Sequence, residues 1–209
     1  MKIKEPKIKE TNNYSFDMAI NNNEFYEYLF DKNVTKDYKI KDVTIDSCIF
    51  KNINFNNIDF DRVLLVDVIF DNCDLSNKCF DYTSISRVEF NNCKMMGMSF
   101  IGSSLVDISI TNSNSGYINF SDSKITNMSI IDSNMSHLSF METKIKNIEL
   151  KNVDLSMSEI SNTNLKGIDF SECDIHGLMT DFESLNGLII DRFQAVDLVN
   201  LLGVKVKDI

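Results

Sequence analysis

Apolar residues recur at every fifth position over most of this chain. The period is clear in NNCKMMGMSFIGSSLVDISI (91–110), where Met95, Phe100, Leu105 and Ile110 are five residues apart. An α-helix repeats every 3.6 residues and a β-strand every two, so neither produces this spacing. A repeat that continues over most of a chain determines its whole fold.

Each five-residue unit has the pattern of a short extended segment followed by a corner. The period runs from Phe50 to Ile175, and Ser115 is its one polar member. A second small or apolar residue often lies two positions earlier, as at Val68, and side chains two apart on an extended segment point to the same side. Two positions later the residue is often Asn, Asp or Gly, as at Asn72, which are the residues that turns favour.

The phenylalanines indicate that four units close one coil. Twenty residues separate the members of a column, so like residues stack in neighbouring coils about 4.8 Å apart. Residues 41–190 are therefore predicted to form a four-sided parallel β-coil, a rod of roughly 35 Å. The predicted core ladder is Phe60, Phe80, Phe100, Phe120 and Phe140.

Several units match the consensus of a known repeat family. CDLSN (73–77), TNLKG (163–167), IDFSE (168–172) and CDIHG (173–177) start with a small or β-branched residue, continue with Asp or Asn, and have Leu, Ile or Phe at the centre. The chain resembles the pentapeptide-repeat proteins over about 150 residues. The resemblance implies an all-β fold, a right-handed quadrilateral parallel β-helix.

The ends of such a coil expose core and unpaired backbone groups, so both need a cover. Residues 1–40 are rich in aromatic residues but lack the repeat, and we expect them to fold back as a cap. This cap would also cover an apolar strip near the start of the rod, where Leu64 and Val66 point outward and Ile49 and Ile69 stack beside them.

Two kinds of polar side chain lie at inward positions. Lys78 would be costly to bury unpaired, so we expect a local bulge or a lysine that is turned outward. Cys73 and Cys93 stack within disulfide range, but no metal-ligand spacing such as CxxC occurs. We expect all five cysteines to be small, reduced core thiols.

The C-terminal segment 191–209 is predicted to contain a helix over 191–206, with Asp191 as N-cap and Gly203 as the stop. This tail is similar to that of the Qnr quinolone-resistance proteins. That resemblance implies an end-to-end homodimer, and the alternative is a monomer in which the helix only caps the coil. The predicted dimerisation residues are Phe193, Gln194, Val196, Leu198, Val199, Leu201, Leu202 and Val204.

The formal net charge of −10 argues against direct binding of nucleic acid or an anionic membrane. No apolar run approaches the ~18 residues of a membrane span. The opening MKIKEPKIKE lacks the apolar stretch of a secretory signal peptide, so we expect a cytoplasmic protein.

The charges are sorted by side of the rod. The side of Ile85 and Leu105 is basic toward its C-terminal half, with Lys124, Lys144, Lys146 and Lys166. Two other sides are acidic, that of the Phe60 column and that of the Phe50 column. Their predicted partner-binding residues are Asp59, Asp61, Asp81, Asp122, Glu142, Glu159 and Asp181 on the first, and Asp71, Glu89, Asp132, Glu149, Asp169 and Glu172 on the second.

A narrow acidic rod can mimic the shape and field of a DNA duplex. Within the Qnr-like branch the resemblance implies binding to DNA gyrase or topoisomerase IV and protection of these enzymes from quinolones. The five-residue register runs without an inserted loop from Val43 to Ile175, whereas many Qnr proteins carry projecting loops. The alternative is a general protein-interaction scaffold with another partner, since a shared fold does not determine function.

No motif indicates catalysis. His137 and His176 lie on one side but about two coils, roughly 10 Å, apart, which is too far to share one metal ion. Asp174 is interpreted as a surface neighbour of His176 rather than as half of a catalytic pair. We therefore expect no enzymatic activity, no cofactor and no metal.

Overall fold

The computed structural model describes residues 2–9, 11–199, 201 and 203–207, and a parallel β-coil dominates it. From residue 26 onward, paired residues lie twenty positions apart, as in Leu65↔Ile85 and Ile85↔Leu105. The first strand differs, since Asn12 pairs with Tyr28. The four-sided parallel fold predicted from the five-residue period is confirmed. The predicted register is observed as well, because the central apolar residue of a unit lies directly above the central apolar residue of the corresponding unit in the next coil.

The described residues contain short strands in the coil and one helix near each end. In chain order the strands are Asn12–Asn13 (β1), Tyr28–Phe30 (β2), Tyr38–Lys41 (β3), Thr44–Asp46 (β4), Ile49–Lys51 (β5), Ile58–Asp61 (β6), Leu64–Asp71 (β7), Ser84–Asn91 (β8), Ser104–Thr111 (β9), Lys124–Asn134 (β10), Ser139–Met141 (β11), Lys144–Asp154 (β12), Glu159–Ser161 (β13), Cys173–Asp174 (β14) and Met179–Thr180 (β15). The helices are Phe16–Asn22 (α1) and Gln194–Val199 (α2).

The four sides are named here by a central residue. Side A contains Phe70, side B Leu75, side C Phe80 and side D Ile85. The longest sheet, β1-β2-β5-β7-β8-β9-β10-β12-β14, extends over sides D and A and reaches side B at its end. Side C contains β3-β6 and β11-β13-β15, and isolated parallel bridges such as Asp74↔Lys94 hold most of side B.

Corner residues adopt the left-handed conformation that a sharp turn requires. Asp67, Arg87 and Asp107, one above another at the corner between sides D and A, have φ of 54°, 53° and 56°. Asn and Asp tolerate this region and a β-branched residue does not, which explains the predicted turn composition. Gly102 is more restricted, since a Cβ there would lie 2.6 Å from the ring of Tyr82.

Stacked aromatic rings form the core. On side A, Phe30, Phe50, Phe70 and Phe90 stack with successive ring centroids 5.0, 5.1 and 5.2 Å apart. On side C the predicted ladder forms with spacings of 4.8 to 5.9 Å, and its members are fully buried except for the partly buried first ring. These ladder residues are Phe60, Phe80, Phe100, Phe120 and Phe140.

The coil begins earlier than the predicted boundary at residue 41. β2 pairs with β5 and β3 pairs with β6, so residues 28–41 already form part of a coil. Phe25, Phe30 and Ile40 keep the five-residue register that the predicted boundary left out. Helix α1 covers this end, because Phe16 packs against Phe30 and Phe50. The predicted apolar strip is covered only in part, and Leu64 stays 40 % exposed.

The C-terminal helix is shorter than predicted, since α2 spans Gln194–Val199 instead of 191–206. Asp191 caps it as predicted, accepting hydrogen bonds from the N–H groups of Phe193 and Gln194. The assignment of Gln194 to a dimer surface is wrong. Its side chain is buried, and Nε2 donates to the carbonyls of Phe170 (2.8 Å) and Cys173 (2.6 Å), which closes the end of the coil.

Lys78 is buried, so the expectation of an outward-turned side chain is wrong. Its Nζ donates to the carbonyl oxygens of Ile58 (2.8 Å) and Asn56 (3.4 Å) and lies 4.0 Å from Asp59 Oδ1. The coil is locally interrupted here: among the described residues no backbone hydrogen bond joins residues 58–62 to residues 78–82. The ammonium group takes the place of a backbone N–H at the Ile58 carbonyl.

We expect Lys78→Met to stabilise the protein. Methionine matches the apolar ladder neighbours Ile58 and Met98. The variant leaves the Ile58 carbonyl without its donor, at a cost of ~1–3 kcal/mol, but it removes the larger cost of burying an ammonium group, so the free energy of unfolding should rise by about 1 kcal/mol or more. Urea unfolding followed by circular dichroism measures this. Lys94→Met, at an exposed side-B position, is the control and should have no effect. A Lys78→Met protein that is less stable than the wild type would show that the buried ammonium is a net stabilising group.

Candidate functional site

Stacking assembles the predicted acidic surface of side C, to which each coil except that of Phe100 contributes one or two carboxylates. All of these carboxylates are exposed or half-buried in the structure. The side-C carboxylates are Asp59, Asp61, Asp81, Asp122, Glu142, Glu159 and Asp181.

The carboxylates near the start of side C are neutralised by the protein itself. Asp61 lies 3.1 Å from Lys39 Nζ, 3.2 Å from Arg62 Nη1 and 3.9 Å from Lys41 Nζ. The hydrogen bond from Lys39 and the nearby cations hold the pKa of Asp61 below its ordinary value. This end of the predicted surface therefore presents little net negative charge.

Two further members of the predicted set hold the backbone in place. Asp81 accepts hydrogen bonds from Ser99 Oγ (2.5 Å) and the N–H of Ile101 (2.8 Å). Asp181 accepts from the N–H and Oγ of Ser184 and from the N–H of Asn162, all at 2.7 Å. These bonds lower the pKa of Asp181, and the bond from the Ser184 N–H has the largest effect on it. Both groups have structural roles that are independent of any partner.

Three carboxylates remain open to a partner in the C-terminal half of side C. Asp122 and Glu142 lie twenty residues apart at one corner, with φ of 59° and 53°, and Glu159 lies on the same side in the next coil. All three are exposed, and the described chain places no cation in an ion pair with them. We call Asp122, Glu142 and Glu159 the open acidic cluster.

The predicted acidic residues of side A are largely paired. Asp71 lies 3.5 Å from Lys51 Nζ, Glu149 lies 2.6 Å from Lys151 Nζ, and Asp132 accepts from Asn152 Nδ2. Asp169 accepts from the N–H and hydroxyl of Ser171, which lowers its pKa. Glu89 accepts from a neighbouring asparagine, Asn91, and Glu172 is exposed. Side A is therefore the weaker candidate for an acidic docking surface.

The corner between sides D and A contains a polar ladder that the sequence analysis missed. Arg87 Nε and Nη2 donate to the two oxygens of Asp67 at 2.5 and 2.7 Å, and Asn127 donates to Asp107 at 2.8 Å. Asp67 and Asp107 are buried. Their spacing of forty residues with an arginine between them was a readable signal, because all three occupy the same corner position.

The N-terminal segment 2–9 lies along this corner and satisfies both buried carboxylates. The backbone N–H of Lys7 donates to Asp67 Oδ1 (2.8 Å) and that of Lys4 to Asp107 Oδ1 (3.4 Å). Three extended residues span ~10 Å, which matches two coils. Burial opposes ionisation of Asp67, but the hydrogen bonds from Arg87 and Lys7 outweigh it and hold its pKa below the ordinary value.

The histidines lie on the surface. The rings of His137 and Tyr117 stack with centroids 4.3 Å apart, and His176 Nδ1 lies 3.4 Å from Asp197 Oδ1. Within the described ranges no three His, Cys, Asp or Glu side chains are placed to hold a metal ion. No helix among those residues is long and apolar enough to cross a membrane.

All five cysteines are free thiols, and Cys79 is exposed, which corrects the expectation that every one lies in the core. Burial raises the pKa of Cys48 to about 11 and that of Cys173 to about 12. The hydrogen bond to Cys73, together with burial, raises the pKa of Cys93. Buried thiols of raised pKa are poor nucleophiles.

The remaining residues of the predicted dimer surface form an apolar end. Phe193 is 69 % exposed, and Val196 and Val204 are about half exposed. Leu198 packs partly against the core, and Val199 and Leu201 are half-buried. Leu202 lies outside the described residues.

Comparison with known proteins agrees with this geometry. Residues 63–130 match the family model described as the pentapeptide repeat region, and the twenty-residue pairing continues on both sides of that segment. This segment of the chain is a pentapeptide repeat region. The search of curated protein sequences found no match.

Solved structures of similar chains include a trypsin-treated variant of QnrB1, described as a plasmid-mediated fluoroquinolone resistance protein. It is 21% identical over 87% of this chain and 89% of its own, with a TM-score of 0.45. HetL, from the cyanobacterium Nostoc and described as involved in heterocyst differentiation regulation, is 13% identical over 79% of this chain and 88% of its own, with a TM-score of 0.40.

We expect Asp67→Asn to destabilise the protein much more than Asp42→Asn. Asp42 forms the matching bidentate pair with Arg62, but its side chain is 57 % exposed, whereas that of Asp67 is 8 % exposed. Loss of the buried carboxylate leaves Arg87 without its partner, which should cost about 3 kcal/mol. Urea unfolding at pH 7 measures the stability of both variants. Equal losses of unfolding free energy would show that the buried Asp67–Arg87 pair contributes no more stability than the exposed Asp42–Arg62 pair.

The same pair determines an expected pH dependence. Because the folded pKa of Asp67 is lowered, its stabilisation is present above the ordinary carboxyl value of 3.8 and is lost as the pH falls through the folded pKa. The stability gap between wild type and Asp67→Asn should therefore narrow below that pH. A gap that stays constant down to acid unfolding would contradict the assignment.

Proposed function

We propose that this protein is a non-enzymatic, acidic pentapeptide-repeat rod that binds a type II topoisomerase, DNA gyrase or topoisomerase IV, by mimicking a DNA duplex. The supporting observation is the open acidic cluster on a straight, narrow side of the coil. In this proposal the protein acts in the cytoplasm and needs no cofactor, and it reduces the action of quinolones on the enzyme.

Spacing along the axis supports mimicry of field and shape. Asp122 and Glu142 occupy one corner in successive coils, which are about 4.8 Å apart. B-DNA carries one charge per ~1.7 Å of axis, so the rod is the sparser polyanion. A groove that binds DNA presents lysine and arginine over a comparable length, and a rod of similar width attracts the same groups.

We expect neutralisation of the open acidic cluster to abolish this function and leave the fold intact. The test variant is Asp122→Asn with Glu142→Gln and Glu159→Gln. The assay is gyrase supercoiling with ciprofloxacin over a titration of the protein. Wild type should restore supercoiling, or inhibit it without drug, and the test variant should need at least ten times more protein, as expected when three steering charges are lost.

The matched control changes the same number of charges elsewhere. Glu24→Gln, Asp31→Asn and Glu183→Gln are exposed positions outside the cluster, and this variant should behave as wild type. Equal activity of the test and control variants would reject mimicry by side C. No effect of the wild-type protein on either topoisomerase would reject the proposed partner.

A second candidate function is a general protein-interaction scaffold. The corners that border side C carry the exposed aromatic rings of Tyr82 (80 % exposed) and Tyr117 (58 % exposed). Tyrosine is enriched at protein interfaces, where it combines apolar area with a polar end. This candidate is favoured if neutral variants of the cluster keep full binding to whatever partner is found.

We further propose that the apolar C-terminal end joins two copies end to end. Phe193 and Val196 are exposed, and so are two further apolar side chains in the C-terminal part of the chain, Phe182 and Ile189. Gln194 supports the surface from inside by its bonds to the last coil. A dimer of this kind would double the length of the acidic rod.

We expect Phe193→Asp with Val196→Asp to convert a dimer into a monomer. Two charges in an apolar contact are costly to bury, so the dissociation constant should rise at least a hundredfold. Sedimentation equilibrium measures it. The control, Met96→Asp with Met141→Asp, changes two exposed apolar residues on the sides of the rod. A wild-type protein that is monomeric at all concentrations would leave the helix with a capping role alone.

A further inference from the structure

On sides D and A, the backbone pairing between β12 and the next coil, residues 164–172, is interrupted. Thr143 N–H donates to Thr163 Oγ1 at 3.0 Å, and Val153 pairs with Cys173. Between these two points, within the described chain, no backbone hydrogen bond joins residues 144–152 to residues 164–172. One coil earlier the same stretch is paired throughout, from Lys124↔Lys144 to Asn134↔Asp154. The strand β12 therefore has one paired edge and one open edge.

Side-chain burial shows the same opening. Ile145 and Ile148 are half-buried, whereas their ladder neighbours Ile125 and Met128 are 1 % and 0 % exposed. A Cβ on Gly167 would meet nothing within 4 Å. The coils thus leave a cleft of about 530 Å³, and we call it the seam. Its lining includes Lys2, Ile145, Asn147, Ile148, Lys166 and Gly167.

The seam presents backbone groups in the pattern of a strand edge. In paired coils the corner N–H and the central N–H of each unit donate to the next coil, as from Asn72 to Asn91 (2.9 Å) and from Phe80 to Ser99 (2.8 Å). Ile145, Asn147, Leu150 and Asn152 occupy these positions in β12, and the described residues contain no acceptor for them on the seam side. An open row of donors and acceptors is what an added strand pairs with.

The chain fills the interruption on side C and leaves this one open. On side C the ammonium group of Lys78 bonds to the free carbonyl of Ile58. Among the described residues no side chain hydrogen-bonds to the backbone of Ile145, Ile148 or Leu150 in this way. The seam therefore lacks an internal substitute for the missing coil contacts.

The charge of the seam determines the kind of strand that fits. Lys2 and Lys166 line the cleft, Lys144 and Lys146 are exposed on the same side, and none of the described residues that line it is Asp or Glu. The interrupted stretches carry acidic residues only toward side A, namely Asp169, Glu172 and Glu149, the last paired with Lys151. The half-buried Ile145 and Ile148 offer apolar contact to an aliphatic side chain. A segment that alternates acidic and aliphatic residues in extended form meets both demands.

We propose that the seam binds an extended acidic peptide segment of a partner protein, which pairs with the open edge of β12. This proposal does not depend on binding to a topoisomerase, since that surface lies on side C. It assigns the basic half of side D a role as the binding site for carboxylates that flank the added strand.

Amide hydrogen exchange tests whether the edge is open. The amides of Ile145, Asn147, Leu150 and Asn152 should exchange about a hundred times faster than those of Ile125, Asn127, Ile130 and Asp132, which occupy the same positions one coil earlier. Equal protection in the two sets would overturn the proposal. Protection of the first set that appears only at high protein concentration would identify a second copy as the occupant and would also overturn it.

Peptide binding tests the occupant. The probe is a fluorescein-labelled seven-residue peptide in which valine alternates with aspartate and glutamate, and fluorescence anisotropy measures its affinity. Binding should slow exchange of the four β12 amides at least tenfold. The same peptide with N-methyl groups on alternate amides, or with lysine in place of its acidic residues, should bind at least tenfold more weakly. Unchanged affinity of either control peptide would overturn strand addition or charge recognition, respectively.

A protein variant locates the site independently. Lys144→Glu with Lys146→Glu and Lys166→Glu should weaken binding of the acidic peptide at least tenfold. The matched control, Lys32→Glu with Lys36→Glu and Lys94→Glu, reverses three exposed lysines outside the seam and should keep wild-type affinity. Equal loss in both variants would mean that net charge alone attracts the peptide, and the seam would not be the site.

Discussion

Backbone hydrogen bonding between neighbouring coils, which brings residues twenty positions apart into register, is the interaction on which the rest of this structure depends. It places each residue directly above its counterpart in the next coil, so any property that recurs at this interval becomes a continuous line. The phenylalanines of side A become a stack with centroids about 5 Å apart. The corner residues Asp67, Arg87 and Asp107 become an alternating ion ladder by the same geometry. Both arrangements follow from the twenty-residue register alone.

This register also explains how the rod separates charge. An outward position on one coil stays on the same side in every coil, so acidic and basic residues cannot mix unless the sequence alternates them. In the C-terminal half, Asp122 and Glu142 follow the corner of side C while Lys124 and Lys144 follow the adjacent side D. The rod is therefore polar across its width there, and partners of opposite charge would approach from different directions.

Much of the fold could be predicted because the controlling signal is a period rather than a local propensity. The ladder from Phe60 to Phe140, the turn residues and the sides of the charged groups all follow from counting in fives. Gln194 could not be placed from its sequence neighbours, because its role depends on the carbonyls of Phe170 and Cys173, which are more than twenty residues away. The position of the N-terminal segment could not be predicted for the same reason, since Lys7 and Lys4 donate hydrogen bonds to Asp67 and Asp107, which are distant in sequence.

The acidic positions show a further limit of a sequence pattern. Counting identifies every carboxylate on side C, but it cannot distinguish Asp61, which has three cations around it, from Glu159, which has none among the described residues. The distinction arises from Lys39 and Lys41, which reach over from the neighbouring coil, and from the adjacent Arg62, and these cations do not recur with the period of the coil. A surface of seven carboxylates therefore reduces to a cluster of three, placed in the half of the rod where the adjacent side is basic. A binding partner of this rod must therefore complement the boundary between acidic side C and basic side D. This requirement is stricter than attraction to a uniformly negative surface.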